Sequence, residues 1–395
     1  MSGTLNGIYN NVNFALQMHT KAIYSLQEQI STGARVNRAS DDPSAAYRIL
    51  GFNSQQRSLE NYIDNLSDVI STLELSTSVI DSMTSALAET KSRLTQISNG
   101  IYDEQSRKRL AEGIDDILEQ IVLLANTKRN NRYLFGGGDT DSPPYVVERT
   151  NGVITSVTYQ GSNDERNIEV APGVQSSAFY VGDDIFRLDN RSEPIFTGNS
   201  GAKAGTGTST VTGDVWLTVI YDGSNYKLSI DDGATYVTVP PGGDTNQAVT
   251  DPRTGKILYV DTTGINSTGV ELVRIPGTYD IFTMLIAIRD ILKNDRGLPE
   301  TQVQQLINNS LDSLEEIHNL LIQDSVSMGT KIGFLDDLRD SLTDLKYDTE
   351  DEATRLQEAD IAQIAVDLSQ RELLYQMSLS IAAKVMSMSL LDFIR

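Results

Sequence analysis

Every seventh position from Ala45 is apolar: Phe52, Leu59, Leu66, Leu73, Ile80, Leu87, Leu94 and Ile101. Tyr62, Val69, Met83 and Ile97 supply a companion seam, which Ser76 and Thr90 interrupt. A sustained period of about 3.5 residues predicts a left-handed coiled-coil helix, and about 57 residues at ~1.5 Å each would make a rod of roughly 85 Å. Ser40, Asp41 and Asp42 mark its start ahead of Pro43. A proline loses nothing at the first helical position, and acidic groups there complement the helix dipole. A second run has the same spacing: Ile307, Leu314, Leu321, Met328, Leu335 and Leu342, with Leu311, Ile332, Leu338 and Leu345 beside them and Gly297-Leu298-Pro299 ahead. Shorter helical stripes are Leu110, Ile114, Ile117, Ile121, Leu124 and Ile281, Leu285, Ile288, Leu292. These apolar faces need partners, and an antiparallel bundle joining the first and last thirds of the chain supplies them.

Between Gly136 and Gly277 the helical period vanishes. Short β-rich runs take over: Val153–Tyr159, Ile168–Val170, Val215–Tyr221, Tyr226–Ile230, Tyr236–Val239 and Ile257–Val260. Asp222-Gly223-Ser224-Asn225 and Asp231-Asp232-Gly233 are turn signals between them. The stretch Thr197–Gly213, rich in Gly, Thr, Ser and Ala, is expected to be a long mobile loop. The expected fold class is therefore α + β and multi-domain: an elongated antiparallel helical bundle or coiled coil built from both chain ends, with an inserted all-β domain. The spans are 1–40 (N-terminal assembly helix), 41–135 (first bundle half), 136–277 (β insert), 278–355 (second bundle half) and 356–395 (C-terminal assembly helix).

Both extremities are amphipathic, where chain ends are ordinarily polar and frayed. Leu5, Ile8, Val12, Leu16, Ile23, Leu26 and Ile30 form one stripe, which ends at Gly33. Ile361, Ile364, Leu368, Leu374, Met377, Ile381, Val385, Met388 and Leu391 form the other. With no evident partner inside their own subunit, these stripes are expected to be disordered in the free chain and to pair when subunits stack. Val12, Leu16, Ile23, Leu26, Ile30, Leu374, Met377, Ile381, Val385 and Met388 are the candidate subunit-assembly residues.

Composition narrows the chemistry. With 54 acidic against 32 basic residues the formal charge is −22, which argues against nucleic acid or an anionic membrane surface as a partner. Zero cysteine removes disulfides, thiol nucleophiles and thiolate-bound metal. Residues 1–13 are uncharged and polar, without the basic-then-apolar plan of a cleaved signal peptide. The strongly apolar stretch Ile281 to Ile288 falls far short of the roughly 20 residues that span a bilayer. A soluble chain is expected, either cytoplasmic or exported by a route that reads something other than a cleaved signal. His19 and His318 lie in different helical stripes with no second nitrogen ligand at hand, so no metal site is expected. Gly136-Gly137-Gly138 is not followed by a helix with Gly-Lys-Ser/Thr, so it reads as a hinge and not a phosphate loop. Asp231-Asp232-Gly233 lacks the downstream glutamate of a calcium loop, and the acidic run Asp336 to Asp360 reads as a solvated helix face. No spacing supports a catalytic constellation or a cofactor, and a non-enzyme is expected.

Three motifs carry a resemblance. The run Ser31-Thr32-Gly33-Ala34-Arg35-Val36-Asn37-Arg38-Ala39-Ser40-Asp41-Asp42-Pro43-Ser44-Ala45-Ala46 resembles the N-terminal motif of the flagellin superfamily. Its Arg-Val and Asp-Asp-Pro variant is similar to that of the hook–filament junction branch. Asn130-Asn131-Arg132-Tyr133-Leu134-Phe135-Gly136-Gly137, followed by Pro143-Pro144, is similar to that branch's motif between bundle and β domain. The ending Ser387-Met388-Ser389-Leu390-Leu391-Asp392-Phe393-Ile394 matches its style of C-terminus. The resemblance covers roughly residues 1–145 and 278–395. It implies a secreted structural adaptor at the hook–filament junction of the bacterial flagellum. Its implied partners are a ring of copies of itself, another hook-associated protein on the hook side, flagellin on the filament side, and an export chaperone at the C-terminal region. Export would use the flagellar type III apparatus without a cleaved signal. Arg35, Arg38, Asp41, Asp42, Arg132, Tyr133 and Phe135 are the motif residues with an inter-subunit role in prospect, although helix capping explains the two acids equally well. The rival readings are a flagellin able to grow filaments alone, and a secreted adhesin displayed through the β domain.

Overall fold

Both heptad runs are single uninterrupted helices, the first of them as far as Leu94, since Ile101 lies outside the described residues. The computed structural model describes the backbone of residues 2–98 and 103–393 and, within them, side chains other than those of 2–6, 8, 9 and 385–393. The helices are α1 (Ser2–Thr32), α2 (Pro43–Ser98), α3 (Glu104–Ala125), α4 (Gly182–Phe186), α5 (Ile281–Lys293), α6 (Glu300–Gln357) and α7 (Ile361–Phe393). The chain divides into two compact units, one made of residues 1–64 with 338–395 and the other of 65–337.

In the second unit the heptad positions become the core. Leu66, Leu73, Ile80, Leu87 and Leu94 on α2 are fully buried, as are Ile307, Leu314, Leu321, Met328 and Leu335 on α6. Ser76 and Thr90, the gaps in the α2 seam, are buried too. Each donates its hydroxyl to the carbonyl one turn back, Ser76 to Thr72 and Thr90 to Ala86, so no orphaned polar group interrupts the seam. Around this seam, Lys91 pairs with Glu315 and Ser325 donates to Asp81. Helix α3, capped by Asp103 accepting from the Ser106 amide, packs on α5, capped by Asp280. Of their predicted stripes, Ile114, Ile117 and Ile121 on α3 and Ile281, Leu285, Ile288 and Leu292 on α5 are buried. The buried Arg289 of α5 ties this pair to the insert, donating to Asp115 on α3 and to the Ile154 carbonyl.

The insert is antiparallel throughout. Strands β1 (Lys128–Arg129) and β2 (Arg132–Tyr133) form a short ribbon; β3 (Tyr145–Thr150) pairs with β4 (Val153–Tyr159), and β5 (Arg166–Ala171) with β6 (Val174–Phe179). Then come β7 (Ile195–Thr197), β8 (Lys203–Ala204), β9 (Gly213–Tyr221), β10 (Tyr226–Ser229), β11 (Val237–Thr238), β12 (Gln247–Thr250), β13 (Ile257–Asp261) and β14 (Gly269–Ile275). A five-stranded sheet has the order β11-β10-β9-β14-β7, and a three-stranded one the order β12-β13-β8. Leu217, Val219, Leu228, Val249, Leu258, Val260, Val273 and Ile275 share one core.

Two expectations need correction here. Thr197–Gly213 is not a free loop: β8 pairs with β13, and Ala202 and Val211 are buried in the β core. The Gly205 amide donates to the Tyr259 carbonyl, the Thr210 amide to that of Ile257, and the Tyr259 amide to the Ser209 hydroxyl. Its backbone groups are satisfied by a strand some fifty residues later, which local composition does not reveal. Nor is Gly136-Gly137-Gly138 a hinge. Gly136 and Gly137 are buried, and the Gly137 amide donates to the Tyr180 carbonyl and the Ser162 amide to that of Gly136. Gly137 has φ +61°, and a Cβ there would lie 2.5 Å from the Ser162 carbonyl oxygen. Glycine is required for close backbone approach, not for motion.

In the first unit α1 packs along α7. The terminal stripes therefore have a partner within their own chain, contrary to the expectation that neither does. Val36, Ala45 and Ile49, with Ala46 and Leu356 against them, form a small core where the α1–α2 turn meets the α6–α7 turn.

Candidate assembly surface

The α1–α2 turn is held by the motif residues themselves. α1 ends on Gly33 at φ +69°, the left-handed conformation that glycine adopts without a Cβ penalty. Beyond it, Ala34 bridges Glu358 antiparallel, the Arg35 amide donates to the Gln357 carbonyl and the Ala359 amide to that of Gly33. Asp42 caps α2, accepting from the Ala45 amide at 3.0 Å, and pairs with Arg35 at 3.1 Å. The Ala45 amide, with Arg35 second, holds the Asp42 carboxyl below the usual carboxylate range. Asp41 accepts from the amides of Asn37 and Arg38, while the Arg38 guanidinium reaches Glu28 at 2.9 Å. Within the chain, these four residues build a turn.

The second motif is interior. Phe135 is fully buried, edge-on to Phe186 at 4.9 Å, and its carbonyl accepts from the Gly182 amide. Tyr133 is buried with the Lys128 ammonium 4.2 Å from its ring centroid, whereas Arg132 is exposed.

The first unit differs from the second in what it leaves uncovered. On α1, Val12, Leu16, Ile23 and Leu26 are half-buried and Ile30 is exposed. On α7, Ile364 is buried, and Leu368, Tyr375, Ser378 and Ala382 are half-buried at helical spacing. Their neighbours Leu373, Leu374, Met377, Leu379 and Ile381 are exposed. So are Phe14, Met18 and Tyr24 on α1, which the sequence stripe did not include. The same unit exposes Tyr47 and Leu50 on α2 and Leu345 and Tyr347 on α6. Val385 and Met388, with Leu5 and Ile8, have side chains outside the described residues. A helix apolar on two faces ordinarily needs a second partner in water, and an exposed apolar surface of this kind is a candidate interaction site. The signal for Phe14, Met18 and Tyr24 was present as apolar residues off the main stripe, easily passed over when a single face is sought.

His19 and His318 are half-buried on α1 and α6. Among the described residues no group of three or more His, Asp or Glu is placed to hold a metal ion, and no helix is long and apolar enough to cross a membrane.

Residues 5–140 match the bacterial flagellin N-terminal helical region. The chain is 32% identical over 123 residues to the flagellar hook-associated protein 3 of Escherichia coli, a match that spans 31% of this chain and 39% of that protein. It is 23% identical over 172 residues to the flagellin of Listeria monocytogenes, covering 42% of this chain and 56% of the flagellin. In three dimensions it resembles the crystal structure of flagellar hook-associated protein 3 from Legionella pneumophila, with a TM-score of 0.53 at 17% identity, covering 78% of this chain and 98% of that one. The chain thus carries a flagellin-type N-terminal helical region in residues 5–140 and takes the fold of the hook-associated protein 3 structure.

Proposed function

We propose that this protein is a structural adaptor of the bacterial flagellum, joining the hook, through another hook-associated protein, to the flagellin filament. The observation that carries this reading is the α1–α7 pair, which is complete as a pair within the chain yet leaves Phe14, Met18, Leu373, Met377 and Ile381 uncovered. Stacked copies would cover them, forming a ring from the paired terminal helices, with the second unit contributing the rest of each subunit. Identity to a hook-associated protein 3 exceeds that to a flagellin, 32% against 23%, which favours junction over filament. Export proceeds without a cleaved signal, with a chaperone shielding the C-terminal helix until assembly. The absence of cysteine suits a chain threaded unfolded through a narrow channel, and the charge of −22 suits one that must stay soluble until it docks.

Deleting the gene tests this. A strain that keeps intact hooks and releases flagellin into the medium supports the adaptor. Filaments grown from the purified chain alone on seeds would make it a flagellin instead. Removal of residues 145–275 that spares motility while abolishing attachment to a surface would favour the adhesin.

A further inference from the structure

The chain has no cysteine and eight methionines, so the thioether is its one kind of reactive sulfur. The described methionine side chains fall into two classes. Met83, Met284 and Met328 are 0%, 2% and 3% exposed, whereas Met18 and Met377 are 56% and 54% exposed. Both exposed ones belong to the uncovered apolar surface of the paired terminal helices. Met18 lies one turn from Phe14 on α1, and Met377 one turn from both Leu373 and Ile381 on α7, all of them exposed.

We propose that Met18 and Met377 are an oxidant-sensitive modification site, at which peroxide converts the free chain into one that cannot dock. The inference rests on the reading of this surface as the assembly face. In the step, a sulfur lone pair attacks one peroxide oxygen and the O–O bond breaks. The sulfur–oxygen bond of the sulfoxide forms, and the other oxygen leaves as water after proton transfer. The thioether is oxidised by two electrons and hydrogen peroxide is reduced by two. The product replaces a flexible apolar group with a strongly polar one. A sulfoxide buried between subunits without a hydrogen-bond partner opposes docking. Once subunits have stacked, the same sulfurs are covered, so the sensitivity belongs to the subunit before incorporation. Methionine sulfoxide reductases reverse the change.

The full-length chain is exposed to dilute hydrogen peroxide, sampled over time and digested for peptide mass spectrometry. Each sample is assayed for incorporation onto hooks isolated from the deletion strain. Met18 and Met377 gain oxygen at least about tenfold faster than Met83, Met284 and Met328, as access to the sulfur dictates. Incorporation, relative to each chain's own untreated sample, falls at least about tenfold while the circular dichroism is retained, and it returns after treatment with the reductases. In the Met18→Leu, Met377→Leu chain the ratio of treated to untreated incorporation stays near one. Equal oxidation rates at all five positions, full incorporation of the oxidised chain, or equal loss in the doubly substituted chain would each overturn the proposal and leave the adaptor reading intact. Failure of the untreated chain to incorporate would overturn both.

Discussion

Replacing Asp214 by alanine removes the counter-charge of an arginine that the fold has buried. Asp214 on β9 stands opposite Arg274 on β14 in register, with side chains 4% and 6% exposed. The contact is bidentate, Nε to Oδ1 at 3.0 Å and Nη2 to Oδ2 at 2.9 Å. Tyr279 donates its hydroxyl to the same carboxylate at 2.7 Å, and Arg274 Nη2 reaches the Ser310 hydroxyl of α6. Burial and the adjacent carboxylate push the Tyr279 hydroxyl well above its ordinary range, so it stays a donor at any physiological pH. Arg274 Nη1 is already buried without a partner, which leaves Asp214 as the principal compensation for the charge. Breaking such a pair from one side costs about 3–5 kcal/mol. Urea unfolding followed by Trp216, the sole tryptophan and two residues away on β9, reads the second unit directly. For an m-value of about 3 kcal/mol/M the midpoint falls by roughly 1–1.7 M. The double variant Asp214→Leu, Arg274→Met removes both charges and keeps the volume. It should cost less than Asp214→Ala alone, leaving chiefly the Tyr279 hydroxyl without its carboxylate acceptor while Ser310 keeps its bond to the Leu306 carbonyl, about 1–3 kcal/mol. A single variant within about 1 kcal/mol of the parent, or a double variant that costs the sum of the singles, would refute the claim that this pair holds the two strands and α6 together.

Burial alone raises the Asp324 carboxyl to about 6, above its unfolded value near 3.9. The folded chain then keeps a proton that the unfolded chain gives up, so this group stabilises at low pH and that contribution is lost as pH rises through about 6. Solvent reaches the group, which reduces the effect to about 1 kcal/mol. Asp324→Asn should raise the urea midpoint at neutral pH and flatten the profile between the two values; parallel profiles for variant and parent would count against it. Gly137→Ala should destabilise the second unit by about 2 kcal/mol or more, because both its φ and the Ser162 carbonyl oppose a Cβ. An unchanged midpoint would restore the hinge. Asp42→Ala should speed amide exchange at Ala45 and Ala46 and loosen the Arg35 contact without unfolding the second unit, and unchanged protection there would remove the capping role.

Elements whose pattern is local were legible. The heptads are buried at every seventh position from Leu59 to Leu94 on α2 and from Ile307 to Leu342 on α6, because a helix presents every seventh residue to the same side whatever the rest of the chain does. The α3 and α5 stripes are legible for the same reason. β14 was missed because its interior carries Glu271 and Arg274, both buried, which break the apolar run that identifies a strand. Their partners, the Ser200 amide and Asp214, lie about sixty to seventy residues away. The long stretch after Thr197 failed likewise, since its hydrogen bonds go to β13. At the terminal helices the period marks the side of α1 that is half-buried in the structure, at Val12, Leu16, Ile23 and Leu26. Phe14, Met18 and Tyr24 fall outside that stripe, because the helix carries apolar residues on a second, exposed side. Arg35 and Asp42 are recognisable as a motif, but only the structure shows Arg35 donating to the Leu356 and Gln357 carbonyls at the end of α6.

The measurement closest to the centre of the account is complementation of the deletion strain with Ile381→Asp. Ile381 is exposed on α7, so the substitution should leave the fold within about 0.5 kcal/mol of the parent, whereas a carboxylate buried between subunits without a counter-charge opposes docking by several kcal/mol. The Ile381→Asp chain should keep the parental unfolding curve and be exported, with hooks intact and flagellin shed into the medium. Filaments of normal number and length on the Ile381→Asp strain would contradict it.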